Sequence, residues 1–192
     1  MIVIDRYHHR LAPRQPVYLF APHGDGVRFA RLWGETWRRL PLGVRRALLR
    51  HWRSPEAIRY GVLQPPLIEL LEDWGVREDG DLGAVSRGGH QIRFAADVVD
   101  AMPDDIVRDL IAHELAHVYQ WAIGEDMTPD PEFGFLDIEE CADEMVRDWG
   151  FGVESIDDWS RSVGRKRVVH YDSLTDEEKA DLEVRRWRAG RW

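Results

Sequence analysis

Apolar residues recur at helical spacing through much of the chain, and proline and glycine mark the breaks between the predicted helices. Two amphipathic helices are predicted over residues 27–40 and 42–53, with Pro41 between them. A short helix is predicted over 65–75, where Pro-Pro stands at the start and Gly75 at the end. Three further helices are predicted, at 103–123, 135–150 and 173–190. The acidic, turn-rich stretch 124–134 is predicted to be a loop.

The clearest strand signal is "LGAVSRGGHQIRFA", residues 82–95. A Gly-Gly turn signal separates two short alternating runs, which predicts a hairpin or two adjacent strands. With the helices, this indicates an α+β fold. A chain of 192 residues is most simply one domain. Within that domain, 1–192, we expect a helical N-terminal lobe over 1–64, a catalytic core over 65–150 and a C-terminal extension over 151–192.

Charge and composition exclude several classes of protein. Hydrophobic residues make up 44% and charged residues 32% of a chain with a net charge of -9, which indicates a globular protein and not a generic polyanion binder. The Arg- and Trp-rich stretch 28–53 could bind nucleic acid. We favour core positions for Trp33, Trp37 and Trp52 and a solvated arginine face that pairs with the acidic loop, and we expect no nucleic-acid binding.

A single cysteine excludes an intrachain disulfide and a cysteine-rich zinc site. Its position on the helix 135–150 predicts that Cys141 is a small core residue. The apolar start of four residues is too short for a signal peptide, and no apolar run approaches the ~20 residues that span a bilayer. We therefore expect a cytoplasmic protein with no membrane segment.

Chemistry is concentrated in "DLIAHELAHVYQWA", residues 109–122. His113 and His117 are four residues apart on a predicted helix, so both imidazoles leave the same face and can bind one ion. Glu114 lies one step round the helix, where its carboxylate can act as a base without being a ligand. Two imidazoles and a carboxylate on a buried helix would be costly without a partner, which favours a Zn²⁺ site over a chance match.

A catalytic zinc site needs a third protein ligand. The metzincin pattern is excluded, because Gln120 and Ile123 stand where it has Gly and His. His170 is the only histidine after His117, and it lies in a different segment, so a carboxylate is the better candidate. On the helix 135–150, Glu139 falls at the edge of the apolar side, whereas Glu140 falls roughly opposite, on the solvated side. The apolar side is formed by Phe135, Ile138, Cys141, Ala142, Met145, Val146 and Trp149.

The stretch "EECAD", Glu139 to Asp143, resembles the ExxAD motif of the gluzincin metallopeptidases. The resemblance covers about 103–150 and, more loosely, the strand "HQIRFA", which is similar to the edge strand that pairs with extended substrates in that clan. It implies that Glu139 is the third zinc ligand and that Asp143 orients His113 by accepting its other ring N–H. The size of the chain is closer to minigluzincins and ImmA/IrrE-type peptidases. SprT-like proteases share the "AHELAH" stretch but use a third histidine.

The resemblance implies a zincin-like fold. Its small sheet would have an edge strand packed on the HExxH helix, with a second ligand-bearing helix and extra N-terminal and C-terminal helices. It also implies hydrolysis of peptide bonds in a peptide or protein substrate, with a water activated by zinc and with Glu114 as general base. The oxyanion donor would come from the C-terminal part, where His170 and Tyr171 are candidates. We favour an endopeptidase over an exopeptidase. The alternative is a non-catalytic or regulatory zinc-binding domain that acts through protein–protein interaction.

Overall fold

Six helices and one four-stranded mixed sheet form the part of the chain that the structure, a computed structural model, describes: residues 18–21, 23–54, 66–71, 82–86, 88–125 and 136–163. The strands are β1 (Tyr18–Phe20), β2 (Leu67–Leu71), β3 (Gly83–Val85) and β4 (Gln91–Ala95). The helices are α1 (Gly26–Arg39), α2 (Leu42–His51), α3 (Ala96–Ala101), α4 (Asp104–Ile123), α5 (Leu136–Asp148) and α6 (Glu154–Ser162). The predicted α+β class is confirmed.

The strand order in the sheet is β1-β2-β4-β3. β1, β2 and β4 are parallel, and β3 runs antiparallel to β4. The predicted hairpin is confirmed, and both turn glycines, Gly88 and Gly89, have the positive φ that a tight turn requires. The strand "HQIRFA" was expected at the edge, which is wrong. It corresponds to β4, which lies between β2 and β3, so β3 is the edge strand instead.

The predicted helix over 65–75 is also wrong in its described part. Residues 67–71 form strand β2, in which Ile68 and Leu70 are fully buried on one face of the sheet. A short run with four apolar residues around Glu69 fits either a strand or one side of a helix, and it forms a strand because it pairs with β1 on one side and β4 on the other. Helices α3 and α6 were not predicted, because six and nine residues show too little of the helical period.

The long helix α4 is the centre of the packing, and its ends were predicted. It follows Pro103, carries two aspartates in its first turn and ends at Gly124, which adopts a left-handed conformation with φ 78°. Most of its length is buried, because α1 and α2 cover one side and α5 and α6 another. None of the described helices is both long and apolar enough to cross a membrane.

The described part of the N-terminal segment belongs to the same hydrophobic core as α4. Trp33, Trp37 and Trp52 are buried, as predicted, and Trp37 and Trp52 stack with ring centroids 5.8 Å apart. Phe29 of α1 contacts Phe94 of β4 at 5.0 Å between centroids, which joins the helices to the sheet. The predicted loop over 124–134 lies almost wholly outside the described residues. The predicted C-terminal helix over 173–190 lies wholly outside them.

The arginines of α1 have described acidic partners on helices, whereas the expected pairing with the acidic loop falls on residues that lie almost wholly outside the described ranges. Arg28 donates from Nε to Asp104 Oδ1 at 2.8 Å and from its two terminal nitrogens to the carbonyls of Val99 and Met102 at 2.7 and 2.5 Å. Arg31 donates to the other oxygen of Asp104 at 2.6 Å. These contacts join the start of α1 to the turn between α3 and α4.

We expect Arg28→Met to lower the free energy of unfolding by about 1–3 kcal/mol, because the carbonyls of Val99 and Met102 lose their donor while the apolar stem is kept. Arg38→Met, at an exposed position of the same helix, is the control and should change it by less than about 0.5 kcal/mol. Urea unfolding of both variants measures this. Equal midpoints for the two variants would show that the Arg28 contacts do not stabilise the fold.

Candidate metal centre

His113 and His117 are presented by consecutive turns of α4. Their side chains leave the same face of the helix, and the residues are buried, at 2% and 8% exposure. The rings meet edge to face, with centroids 4.6 Å apart and with the two Nε2 atoms 3.0 Å apart. Because α4 is fixed on both sides by other helices, this pair is held in place by the core.

Helix α5 brings Glu139 to the two imidazoles. Glu139 Oε2 lies 3.1 Å from His113 Nε2, and Oε1 lies 3.2 Å from His117 Nε2. Glu139 is half-buried and faces α4, whereas Glu140 is exposed, in agreement with the helical phase argued from the sequence. Among the described residues, His113, His117 and Glu139 are the only group of three suited to hold a metal ion.

Asp143 lies one turn beyond Glu139 and is fully buried. Its Oδ1 is 2.8 Å from His113 Nδ1, which is the contact that the gluzincin resemblance implies. A carboxylate accepts, so Nδ1 of His113 carries the proton and donates it. The lone pair of His113 is therefore on Nε2, the atom that faces Glu139 and His117.

Gln120 has the equivalent position beside His117, and sequence reasoning missed it. Its Nε2 donates to the carbonyl of Ile138 at 3.0 Å, and its Oε1 lies 2.9 Å from His117 Nδ1. The carbonyl can only accept, which fixes the orientation of the amide and makes Oε1 the acceptor for Nδ1–H. The available signal was a buried polar residue three positions after His117, on the same side of an apolar helix.

The donor set of this centre fits a cation. With both Nδ1 atoms protonated, the two Nε2 lone pairs and a carboxylate oxygen face one another at 3.0–3.2 Å. Tetrahedral zinc with bonds of ~2.0–2.1 Å holds its ligand atoms roughly 3.3–3.4 Å apart, so a small outward relaxation suffices. Two imidazoles and one carboxylate form the ligand set of catalytic zinc sites that keep a fourth position open.

The pKa values of His117 and Glu139 are shifted in opposite directions by their mutual contact. Burial alone would lower the pKa of His117, but the carboxylate of Glu139, with a smaller contribution from Glu114, raises it to about 9. Burial alone would raise the pKa of Glu139, but the two histidines hold it well below its ordinary value. Glu139 thus stabilises positive charge on His117, and the two histidines stabilise the ionised carboxylate of Glu139.

Glu114 lies beside this centre, on the next position of α4 after His113. The residue is buried, at 4% exposure, and its carboxylate lies next to Gly83 on the edge strand β3. It thus lies against β3 and close enough to His117 to contribute to the raised pKa of that imidazole. His170 and Tyr171, the predicted oxyanion donors, lie outside the described residues.

Cys141 is not the core residue that was expected. It is partly exposed at the edge of the apolar side of α5, and its Sγ donates to Glu125 Oε1 at 3.2 Å. Burial, together with Glu125, raises the pKa of Cys141 to about 11, so the sulfur stays a neutral thiol near pH 7. It is not part of the metal-binding group.

Comparisons with models of protein families, with curated proteins and with solved structures found no match. No relative therefore indicates a function.

We expect the parent protein to bind about one zinc ion per chain and Glu139→Ala to lower zinc affinity by more than about 100-fold, because one of three ligands is lost. Glu140→Ala, on the solvated side of the same helix, should bind zinc almost as tightly as the parent. Competition titration against a chelating dye measures both. If Glu140→Ala loses the metal and Glu139→Ala keeps it, the ligand assignment is wrong.

We expect Gln120→Met to lower zinc affinity by about 10–100-fold, because His117 loses the acceptor that keeps its proton on Nδ1. Gln120→Glu, which keeps an acceptor at the same place, should retain more of the affinity than Gln120→Met. The same titration measures both variants. Unchanged affinity in Gln120→Met would show that the tautomer of His117 does not depend on this amide.

Proposed function

We propose that the protein is a zinc-dependent metallopeptidase of gluzincin type with a zincin-like fold, and that it cleaves within peptides or proteins. One observation carries the proposal. Two Nε2 lone pairs and the Glu139 carboxylate converge at 3.0–3.2 Å, and a further buried carboxylate, Glu114, lies beside them. A structural zinc site has no use for such a carboxylate, whereas hydrolysis requires a general base.

His113, His117 and Glu139 would hold the metal. When bound, zinc supplies a Lewis acid that polarises a water molecule and the scissile carbonyl. Asp143 and Gln120 keep the two imidazoles in the tautomer that leaves Nε2 unprotonated. Asp143 lies on α5 and Gln120 on α4. The orientation of the two histidine ligands therefore depends on the packing of α5 against α4.

Glu114 is the general base in this proposal. Its backbone position on α4 is fixed by the same helix that carries the two histidine ligands, so its distance from them varies little. Its carboxylate accepts a proton from the attacking water and later gives it to the nitrogen of the leaving amine. The oxyanion donor remains a prediction from the sequence, with His170 and Tyr171 as its candidates.

The edge strand β3 offers a place for an extended substrate. Ser86 N–H donates to the carbonyl of Gln91, and Ala95 N–H donates to the carbonyl of Leu82. Antiparallel ladders alternate, so the backbone groups of Gly83 and Val85 point away from β4. No strand in the described ranges pairs with that side of β3. A peptide added there would pass close to Glu114.

We expect zinc-loaded Glu114→Gln to bind the metal like the parent and to lose hydrolysis by at least about 100-fold, because the amide has the same size and cannot accept the proton. Digestion of a peptide library, followed by mass spectrometry, measures turnover, and elemental analysis of the same samples measures zinc.

Equal cleavage by the parent and the variant would exclude Glu114 as the base. A parent that binds zinc stoichiometrically and cleaves no peptide or protein would instead support the alternative, a non-catalytic zinc-binding domain that acts through protein–protein interaction.

A further inference from the structure

The edge strand β3 begins with a glycine that its backbone does not require. Gly83 is not among the positive-φ glycines, and it pairs with Phe94 in the antiparallel ladder like an ordinary strand residue. A glycine in a strand has no side chain to pack and costs more backbone entropy than alanine. The reason for a glycine at this position must therefore be the space that it leaves.

That space is filled by the proposed base. A Cβ on Gly83 would lie 2.5 Å from Glu114 Oε1, 2.8 Å from its Cδ and 3.1 Å from its Cγ. Contacts below 3.0 Å essentially never occur for a Cβ, so one of the two groups has to move. β3 is tied to β4 by the ladder, and the backbone of Glu114 is in the middle of α4. The group that can move is the carboxylate.

We infer that Gly83 is a positioning residue for the Glu114 carboxylate: its missing side chain is what allows the base to lie against the edge strand, beside the metal ligands. The inference rests on the proposed function for its catalytic meaning. A methyl group at position 83 would turn the carboxylate away from its place, and displacements of about 1 Å in a reacting group can cost about 100-fold in rate. The fold would change little, because only the end of a side chain moves.

The first test is kinetic. In zinc-loaded Gly83→Ala we expect kcat to fall by about 100-fold while zinc content and KM stay close to those of the parent. Gly34→Ala is the matched control, since a Cβ at Gly34 of α1 would meet no atom within 4 Å beyond its chain neighbours and the backbone of its own helix. This control should keep kcat. A parent-like kcat in Gly83→Ala would overturn the inference.

A second pair of variants separates positioning from general damage to the strand. Glu114→Asp withdraws the carboxylate by one methylene and is slow by itself, but it removes the closest of the three contacts with a methyl group at position 83, the 2.5 Å contact with Oε1. Adding Gly83→Ala to Glu114→Asp should therefore cost less than about 10-fold in kcat, compared with about 100-fold in the parent. A full additional loss in the double variant would indicate that the strand itself is damaged and would overturn the inference.

A crystal structure of zinc-loaded Gly83→Ala tests the inference without any turnover. Superposed on the parent through α4, it should show the Glu114 carboxylate displaced by about 1 Å or more, with His113, His117 and Glu139 unchanged. An unmoved carboxylate would overturn the inference. A displaced carboxylate in a protein that cleaves nothing would support this inference while contradicting the proposed peptidase function.

Discussion

The mutual repulsion of three acceptor atoms is the constraint on which this structure depends. Two imidazole lone pairs and a carboxylate oxygen converge at this centre. No hydrogen-bond donor lies among these three atoms when the ring proton of each neutral histidine is on Nδ1, donated to Asp143 or to Gln120. In a buried place such an arrangement is costly unless positive charge is present. The Glu139 carboxylate raises the pKa of His117 to about 9, so a proton on that imidazole supplies part of this charge. A divalent cation supplies it more fully, because it can bind all three acceptors at once.

Helix α5 does more for this centre than provide one ligand. It places Glu139 against the two Nε2 atoms, Asp143 against Nδ1 of His113 and the carbonyl of Ile138 against the Gln120 amide. A shift of α5 along α4 would therefore disturb the ligand and both proton positions together. Helix α4 carries the groups that these atoms contact, which are His113, His117 and Gln120. Because α4 is buried in the core and ends at the C-cap Gly124, the spacing of these residues is fixed.

The sequence was informative where spacing along one helix determines the geometry. The four-residue step from His113 to His117 and the phase that turns Glu139 inward and Glu140 outward depend only on helical pitch, and the structure brings these residues together accordingly. The sequence was not sufficient where pairing with distant segments determines the local structure. Residues 67–71 become a strand because strands pair on both sides of them, and β4 is interior because β3 covers its other edge.

Gln120 and Gly83 show the same limit at the scale of single residues. A glutamine in a buried helix and a glycine at the start of a strand carry no meaning until their neighbours are known. Gln120 contacts Ile138, which is 18 residues away, and Gly83 lies against Glu114, which is 31 positions away along the chain. Neither separation has a sequence pattern, because both result from the packing of α4 against other elements.

The helix that carries the metal-binding motif is packed against α1 and α2, and this packing limits the transfer of the metal-binding motifs to another protein. Residues 82–163 contain every proposed ligand and the base, but an apolar face of α4 is covered by the N-terminal helices α1 and α2, and Arg28 of α1 contacts the α3–α4 turn. Excision of that fragment would expose this apolar face to water, which favours association of the fragment with itself. Grafting the two motifs into another protein would therefore require a host that supplies an equivalent helical cover.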